Sequence, residues 1–309
     1  MAPVDHRAGT PDTANAAHAA HAKGERPLYA FRSDWEPGPR RTPPDTTLLA
    51  VGDVHGCAAH LDALLGRLGP VVARAADAGR RCMLVMIGDY VDRGPDSLGV
   101  LDRLGGLEAA LGVPVHLLLG NHDQFLREAL RIMPDPGVLE LWCENGGDTT
   151  LAECGIEREA IEGADPAPIA AGLRAALGPA RIRLLRGLAP GWRAGGYLFV
   201  HAGVDPTRPL RSHGLDELIW IREPFLSGQG WRHPFAVVHG HTPFGPEVLP
   251  HRVGTDSGCF RTGVLTAVEL ADDRLRFHGV SSVSDLRAFQ DGLDCAQPRA
   301  FGTPQPIGA

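Results

Sequence analysis

Apolar and polar positions along this chain follow two rhythms. Three short apolar runs, at 47–51, 82–87 and 115–119, each stop at a glycine followed by polar residues. Between them lie stretches whose leucines recur at helical spacing. Leu61, Leu64, Leu65 and Leu68 do so within 57–78, and Leu98, Leu101, Leu104 and Leu107 within 96–111. A third helix is predicted near 123–132. Strands alternating with helices predict a layered α/β domain whose first half is largely parallel. From 134 to about 195 the rhythm breaks into short helical pieces separated by glycine and proline, which reads as a mostly helical cap insertion. Strand-like runs return at 197–201, 235–239, 246–250 and 263–270, and the one sizeable helix among them spans 215–226. The second half is therefore expected to be more antiparallel. No internal repeat is visible.

The flanks lack either rhythm. Residues 1–45, rich in Ala, Pro, Thr and His, are expected to be a mobile extension, with 28–31 able to pack against the body. His18 and His21 sit there at helical spacing and read as solvated. Residues 286–309, with Pro298, Pro304 and Pro306, read as a tail, which leaves 46–285 as the domain. Composition changes this picture little. With 309 residues, 43% hydrophobic and 22% charged, the chain can bury a sizeable core. A net charge of −7 gives no reason to expect nucleic acid. Lys23 is the single lysine, so a phosphate-binding cation here is a guanidinium, which suits bidentate contact. Cys57, Cys82, Cys143, Cys154, Cys259 and Cys295 show neither CxxC pairs nor disulfide-framework spacing, and read as reduced packing thiols of a cytoplasmic protein. With no apolar leader and no run of 18 apolar residues, neither a secretory signal nor a membrane span is expected.

The candidate chemistry sits where the apolar runs end. Five motifs fall there: Gly52-Asp53-Val54-His55-Gly56, Gly88-Asp89-Tyr90-Val91-Asp92-Arg93-Gly94, Gly120-Asn121-His122-Asp123, His201-Ala202-Gly203 and His239-Gly240-His241-Thr242. Sites in α/β sheets gather where strands end and loops begin. Glycines beside each polar residue let the backbone turn sharply and approach an ion or phosphate. Asp, Asn and His offer hard and borderline donors that suit Mn²⁺, Fe²⁺ or Zn²⁺. Two ions a few ångströms apart need a shared ligand, and only a carboxylate in this set has two oxygens to share. Singly, each motif has a plain explanation as a turn or a core histidine; their coincidence argues for a metal site.

In this order and spacing the motifs resemble the phosphoprotein phosphatase family of calcineurin-like two-metal phosphoesterases, the compact bacterial and phage-type members above all. The resemblance covers about residues 47–270 and includes the stretches "HAGVDPTRPL" and "LIWIREPFL". It implies a layered β-sandwich-type core flanked by helices. It also implies two divalent ions, Mn²⁺ foremost with Fe or Zn as alternatives. Asp53 and His55 would then bind the first ion, Asp89 would bridge, and Asn121, His201 and His241 would hold the second. His122 would protonate the leaving oxygen and Asp92 would orient it. Arg93 and Arg222 would clamp the phosphate, with Asn121 also facing it. The implied reaction is hydrolysis of phosphoserine or phosphothreonine in proteins by direct attack of a metal-bridging hydroxide, without a phosphoenzyme. The chemistry is self-consistent. Bound ions lower the pKa of water, arginine forks stabilise phosphoryl oxygens, and an alkoxide leaving group needs a proton donor.

Relatives with the same core cut diadenosine tetraphosphate, so hydrolysis of dinucleoside polyphosphates is the alternative. A phosphate-sensing scaffold without catalysis is a third reading, and nothing in the motifs supports it. Phosphoproteins are the expected partners of a monomer, with neither nucleic acid nor membrane. Other polar residues keep ordinary readings. His239 shares a strand side with His241 and reads as supporting or structural. His116, His213, His233, His251 and His278 match no motif position. Asp123 is expected to support its loop, Cys57 to pack at a helix start, and Asp256 in "GTDSG" to be a supporting element outside the site.

Overall fold

The computed structural model describes residues 27–161, 165–284 and 301–307. His18, His21, Lys23, Cys295 and Pro298 lie outside the described residues. Two short strands, β1 (Tyr29–Arg32) and β2 (Glu36–Pro37), come first. The predicted alternation follows as β3 (Thr46–Val51), α1 (Ala58–Asp77), β4 (Arg81–Met86), α2 (Ser97–Leu111), β5 (Val115–Leu117) and α3 (Asn121–Ala129). The broken stretch folds as α4 (Pro136–Trp142), α5 (Asp148–Glu153) and α6 (Pro166–Gly187). Next are β6 (Trp192–Ala194), β7 (Tyr197–Phe199), α7 (Leu215–Trp220), β8 (Ala236–His239), β9 (Glu247–Leu249) and β10 (Arg252–Gly254). Helix α8 (Cys259–Thr262) and strands β11 (Val264–Ala271), β12 (Arg274–Ser281) and β13 (Gln305–Pro306) complete the order.

These strands make two stacked sheets, one ordered β13-β1-β12-β11-β3-β4-β5 with β2 beside β12, the other β6-β7-β8-β10-β9. Side-chain parity holds them together. In β3, Leu49 and Val51 point into the core under the helices, and Leu48 and Ala50 into the core between the sheets. In β7, Tyr197 and Phe199 enter that same inter-sheet core, while Leu198 and Val200 face a third cluster with Phe225 and Phe235. A strand buried on both faces must read as a continuous apolar run, and that is why these strands were visible in the sequence. The result is a sandwich flanked by helices, as expected.

The second half is more antiparallel than the first, through β6, β9, β11 and β12, while β7, β8 and β10 run parallel within it. Residues 200–235 form a long crossover through α7, which returns β8 beside β7 in the same direction. Part of the expected mobile flanks is sheet. Strand β1 pairs with β12 on one side and β13 on the other, so residues 29–32 and 305–306 cover a sheet edge. The broken stretch packs onto the body, with its Trp142, Leu151, Leu173 and Leu185 buried in one core with α1 and α2. Among the described residues no helix is long and apolar enough to cross a membrane.

Candidate active site

The carboxyl ends of β3, β4 and β5 in one sheet and of β7 and β8 in the other converge on one edge of the sandwich. Backbone bonds lock the loops together. The amides of Val54 and His55 both donate to the Asp89 carbonyl, and Gly240 N–H donates to the His201 carbonyl at 2.9 Å. Seven non-glycine residues among those described adopt positive φ, and five of them are His55, Asp89, Asp92, Arg93 and His241. Such strain persists only where surrounding structure imposes it, and it clusters at functional sites. The motif glycines have a steric reason. A Cβ at Gly240 would collide with the Asp53 carboxylate, and one at Gly120 with Asp89.

All ten residues singled out from the sequence lie at or around this edge, and the central ones are buried. His55 Nδ1 faces the Val91 carbonyl at 2.9 Å and His201 Nδ1 the Ile87 carbonyl at 3.2 Å. A neutral imidazole that donates Nδ1–H to a carbonyl aims its Nε2 lone pair the other way, the arrangement ligand histidines use. His201 Nε2 thus lies 2.9 Å from Asn121 Oδ1 and 3.3 Å from Asp89 Oδ2. His55 Nε2 is 3.5 Å from the same Asp89 oxygen. His241 Nδ1–H donates to Asn121 Oδ1 at 2.9 Å, and its amide donates to Asp53 Oδ2 at 2.9 Å. Asp53 Oδ1 and His241 Nε2 are buried without a hydrogen-bond partner among the described residues.

Asp53 Oδ1 and His241 Nε2 are thus buried lone pairs that no donor meets, beside the Asp89 carboxylate, and a cation is what such a set fits. Two groups, His55/Asp89/His122 and Asp89/His201/His241, bring their ligand atoms within 4.8 Å of one another. Asp89 belongs to both, as a bridging carboxylate must. His122 falls in the first group by proximity, but its Nδ1 is committed to Asp92. Electrostatics agree with a cationic guest. Burial, then the charges of Asp256 and Asp89, push Asp53 well above the usual carboxylate range. Burial also works against an ionised Asp89, yet the neighbouring His201, His122 and His55 hold it well below that range. Divalent charge would relieve the first and reinforce the second.

Beside this set lies a buried pair, with His122 Nδ1 2.7 Å from Asp92 Oδ2. Trp142 Nε1–H donates to that same oxygen at 2.6 Å and Thr150 Oγ1–H to Oδ1 at 2.7 Å. Burial pushes Asp92 up to about 7, against the pull of these two hydrogen bonds. Burial, then the Arg93 charge, holds His122 down to about 3. Both directions disfavour a separated ion pair. Arg93 reaches His55 Nε2 at 3.0 Å, donates from Nε to the Asn145 carbonyl at 3.3 Å, and covers the Phe260 ring at 5.0 Å. Arg222 is exposed, yet enclosed enough at its base that burial, then the Arg93 charge, lowers its proton affinity, while Asp89 and Asp256 raise it. Two guanidiniums that repel each other beside buried carboxylates form a place for an anion.

The supporting readings hold geometrically. Asp123 accepts from the amides of Asp89, Tyr90 and Gly120, and so ties the loops after β4 and β5 together. His239 points away, onto the Gly240 carbonyl and the Phe225 ring. Sequence reasoning missed Trp142, Thr150 and Phe260 and set Asp256 aside. Asp256 neighbours Asp53 closely enough to raise it. The glycine-flanked "GTDSG" was a usable signal for Asp256; Trp142 in an apolar helix had none.

A sequence model of calcineurin-like phosphoesterases matches residues 46–268. The asymmetrical bis(5'-nucleosyl)-tetraphosphatase PrpE of Oceanobacillus iheyensis is 27% identical over 242 residues, 70% of this chain and 86% of its own length. The symmetrical bis(5'-nucleosyl)-tetraphosphatase of Janthinobacterium sp. (strain Marseille) is 39% identical over 77 residues, 25% of this chain and 24% of its own. Alignments to the first such symmetrical relatives span only about a quarter of those proteins. Among solved structures, a metallophosphoesterase from Sphaerobacter thermophilus superposes with a TM-score of 0.45 at 18% identity, covering 80% of this chain and 94% of that one. The chain belongs to the calcineurin-like phosphoesterase family.

Proposed function

We propose that this chain is a metal-dependent phosphoesterase that removes phosphate from phosphoserine and phosphothreonine in proteins. Calcineurin-like phosphoesterases use a dinuclear metal site, and Asp53, His55, Asp89, Asn121, His201 and His241 are the residues that would hold two ions here. Such ions, Mn²⁺ foremost by ligand type, supply a water of lowered pKa and positive charge at the phosphoryl oxygens. The protein's own part is to grip the phosphate through Arg93 and Arg222 and to keep water out of a buried edge. His122 then delivers a proton to the leaving oxygen. Burial, then the Arg93 charge, depresses His122, and an arriving phosphate dianion would offset the second of these and raise the ring's proton affinity.

The observation that carries this reading is the buried His122–Asp92 pair, fixed from two further sides by Trp142 and Thr150. An orientated proton donor matters most for a poor leaving group, and a serine or threonine alkoxide is one. Hydrolysis of dinucleoside polyphosphates is the second reading, favoured by the tetraphosphatase PrpE, which matches over most of its length. The test is a substrate panel on the metal-loaded protein, with phosphoserine, phosphothreonine and phosphotyrosine peptides against diadenosine tetraphosphate, repeated with His122→Asn. A higher kcat/KM on the first two peptides is expected. His122→Asn should cost roughly 10²–10⁴ in kcat on them and far less on p-nitrophenyl phosphate, whose phenolate leaves unaided. A preference for diadenosine tetraphosphate, with equal His122→Asn losses on all substrates, would establish the second reading instead.

A further inference from the structure

Behind the first ligand loop lies a group of softer donors that the phosphoesterase chemistry does not use. Cys57, His60 and Cys259 each bring one ligand atom within 4.8 Å of the others. Cys57 stands immediately before α1 as its N-cap, and His60 follows three positions later, on the same helix face. Cys259 opens α8, and Gly258 at φ 61° turns the chain so that the thiol faces inward. The two thiols are 7% and 2% exposed, and their sulfur atoms lie within 4.8 Å of each other. Thiols that buried are poorly placed to meet an oxidant, so a redox role is disfavoured.

We propose that Cys57, His60 and Cys259 form a separate cation site for one thiophilic divalent ion, Zn²⁺ foremost. Zinc at about 2.3 Å from sulfur and about 2.0 Å from nitrogen sets its tetrahedral ligands roughly 3.5–3.8 Å apart. The three ligand atoms lie within 4.8 Å of one another, so side-chain adjustment of at most about 1 Å brings them to that spacing. On binding, each S–H bond breaks and an S–Zn bond forms, the two protons leave to solvent, and solvent completes the fourth position. The donor set separates this site from the dinuclear one, because thiolates select Zn²⁺ where carboxylate, amide and imidazole suit Mn²⁺.

The consequence is positional. Residues 256–260 carry Asp256, which neighbours Asp53, and Phe260, whose ring lies 5.3 Å from the His55 ring and beneath Arg93. An ion clamping Cys259 to the start of α1 fixes that segment against the loop bearing Asp53 and His55. It is a brace for the active edge and takes no part in bond breaking.

Cobalt(II) titration of the full-length, metal-stripped protein tests this directly. No ligand of the dinuclear site carries sulfur, so a thiolate-to-cobalt charge-transfer band reports the new site alone. The band should saturate at one equivalent per chain, and Zn²⁺ should displace it. Cys57→Ser and Cys259→Ser should each lose the band and one equivalent of bound zinc; His60→Gln should require more cobalt for the same band. Wild-type protein that fills its oxygen and nitrogen sites with no thiolate band overturns the proposal without any variant. So does a band that persists in both cysteine variants.

Discussion

Two buried polar clusters in this molecule both set histidines against carboxylates and behave in opposite ways. On β11 and β12, Arg276 Nε–H and His278 Nε2–H both donate to one oxygen of Glu269, at 2.7 and 2.6 Å, and the Arg276 guanidinium lies 4.3 Å from the Trp35 ring centre. Each charge there meets an opposite charge or a ring. At the strand-end edge, Asp53, Asp89, Asn121, His201 and His241 crowd acceptors together, and Asp53 Oδ1 and His241 Nε2 are buried without a partner among the described residues. Burial alone therefore distinguishes nothing; closure of the hydrogen-bond set does. A closed cluster is structure, and an open one fits a binding site.

That contrast breaks most visibly at Asp89. Asp89→Asn removes the carboxylate shared by both ligand groups, and turnover of p-nitrophenyl phosphate should fall by roughly 10⁴-fold or more, since the lowered pKa of bound water is lost. Both metals should leave together, while the melting temperature of the metal-free chain stays level or rises. A variant that keeps its metals and rate would contradict the bridging role.

Glu269→Gln should do the reverse. It strands Arg276 without its carboxylate and should cost about 3–5 kcal/mol in denaturant unfolding, with kcat per folded molecule unchanged. If stability is unaffected and activity falls, the two clusters have been assigned the wrong way round.

Arg222 sharpens the comparison at the rim. Arg222→Ala should lower kcat/KM by about 2–4 kcal/mol, as for a lost preorganised donor, and should leave stability intact because the side chain is exposed. A kcat/KM within twofold of wild type would reduce Arg222 to a surface charge.

The smallest effect is in pH. Burial, only partly opposed by Glu269, keeps His278 below the usual imidazole value. Glu269 lies below its own range: burial opposes this, but the bonds from His278 and Arg276 prevail. Both shifts favour the folded state at neutral pH, and the stability is lost on acidification. The loss begins below the unfolded histidine value near 6.5 and continues below the unfolded glutamate value near 4.3, each group adding a slope of at most about 1.4 kcal/mol per pH unit. Unfolding midpoints of wild type and His278→Gln between pH 7 and 4 should converge toward the acid end.

How much of this was readable beforehand depends on how local each signal is. Strands β3, β4 and β7 announced themselves because most of both faces is buried, so their residues past Thr46, Thr47 and Arg81 form continuous apolar runs. The five glycine-bounded motifs were readable for a similar reason, since a ligand loop needs its turn residues beside it in the chain. Strand β12 was not visible. Its Leu275 and Phe277 alternate with Arg276 and His278, which looks like an exposed edge until β1 covers one side and Glu269 neutralises the polar face.

The sequence by itself determined which residue types stand at the strand ends, their order, and the α/β alternation that carries them there. Only the tertiary structure decided that the ends of two different sheets meet, that Trp142 and Thr150 reach Asp92 across more than fifty intervening positions or close to it, and that Cys259 returns to Cys57. The physical reason is range. Periodicity and turn chemistry are set by neighbours a few residues apart, whereas a buried carboxylate takes whichever donors the packed core brings within about 3 Å.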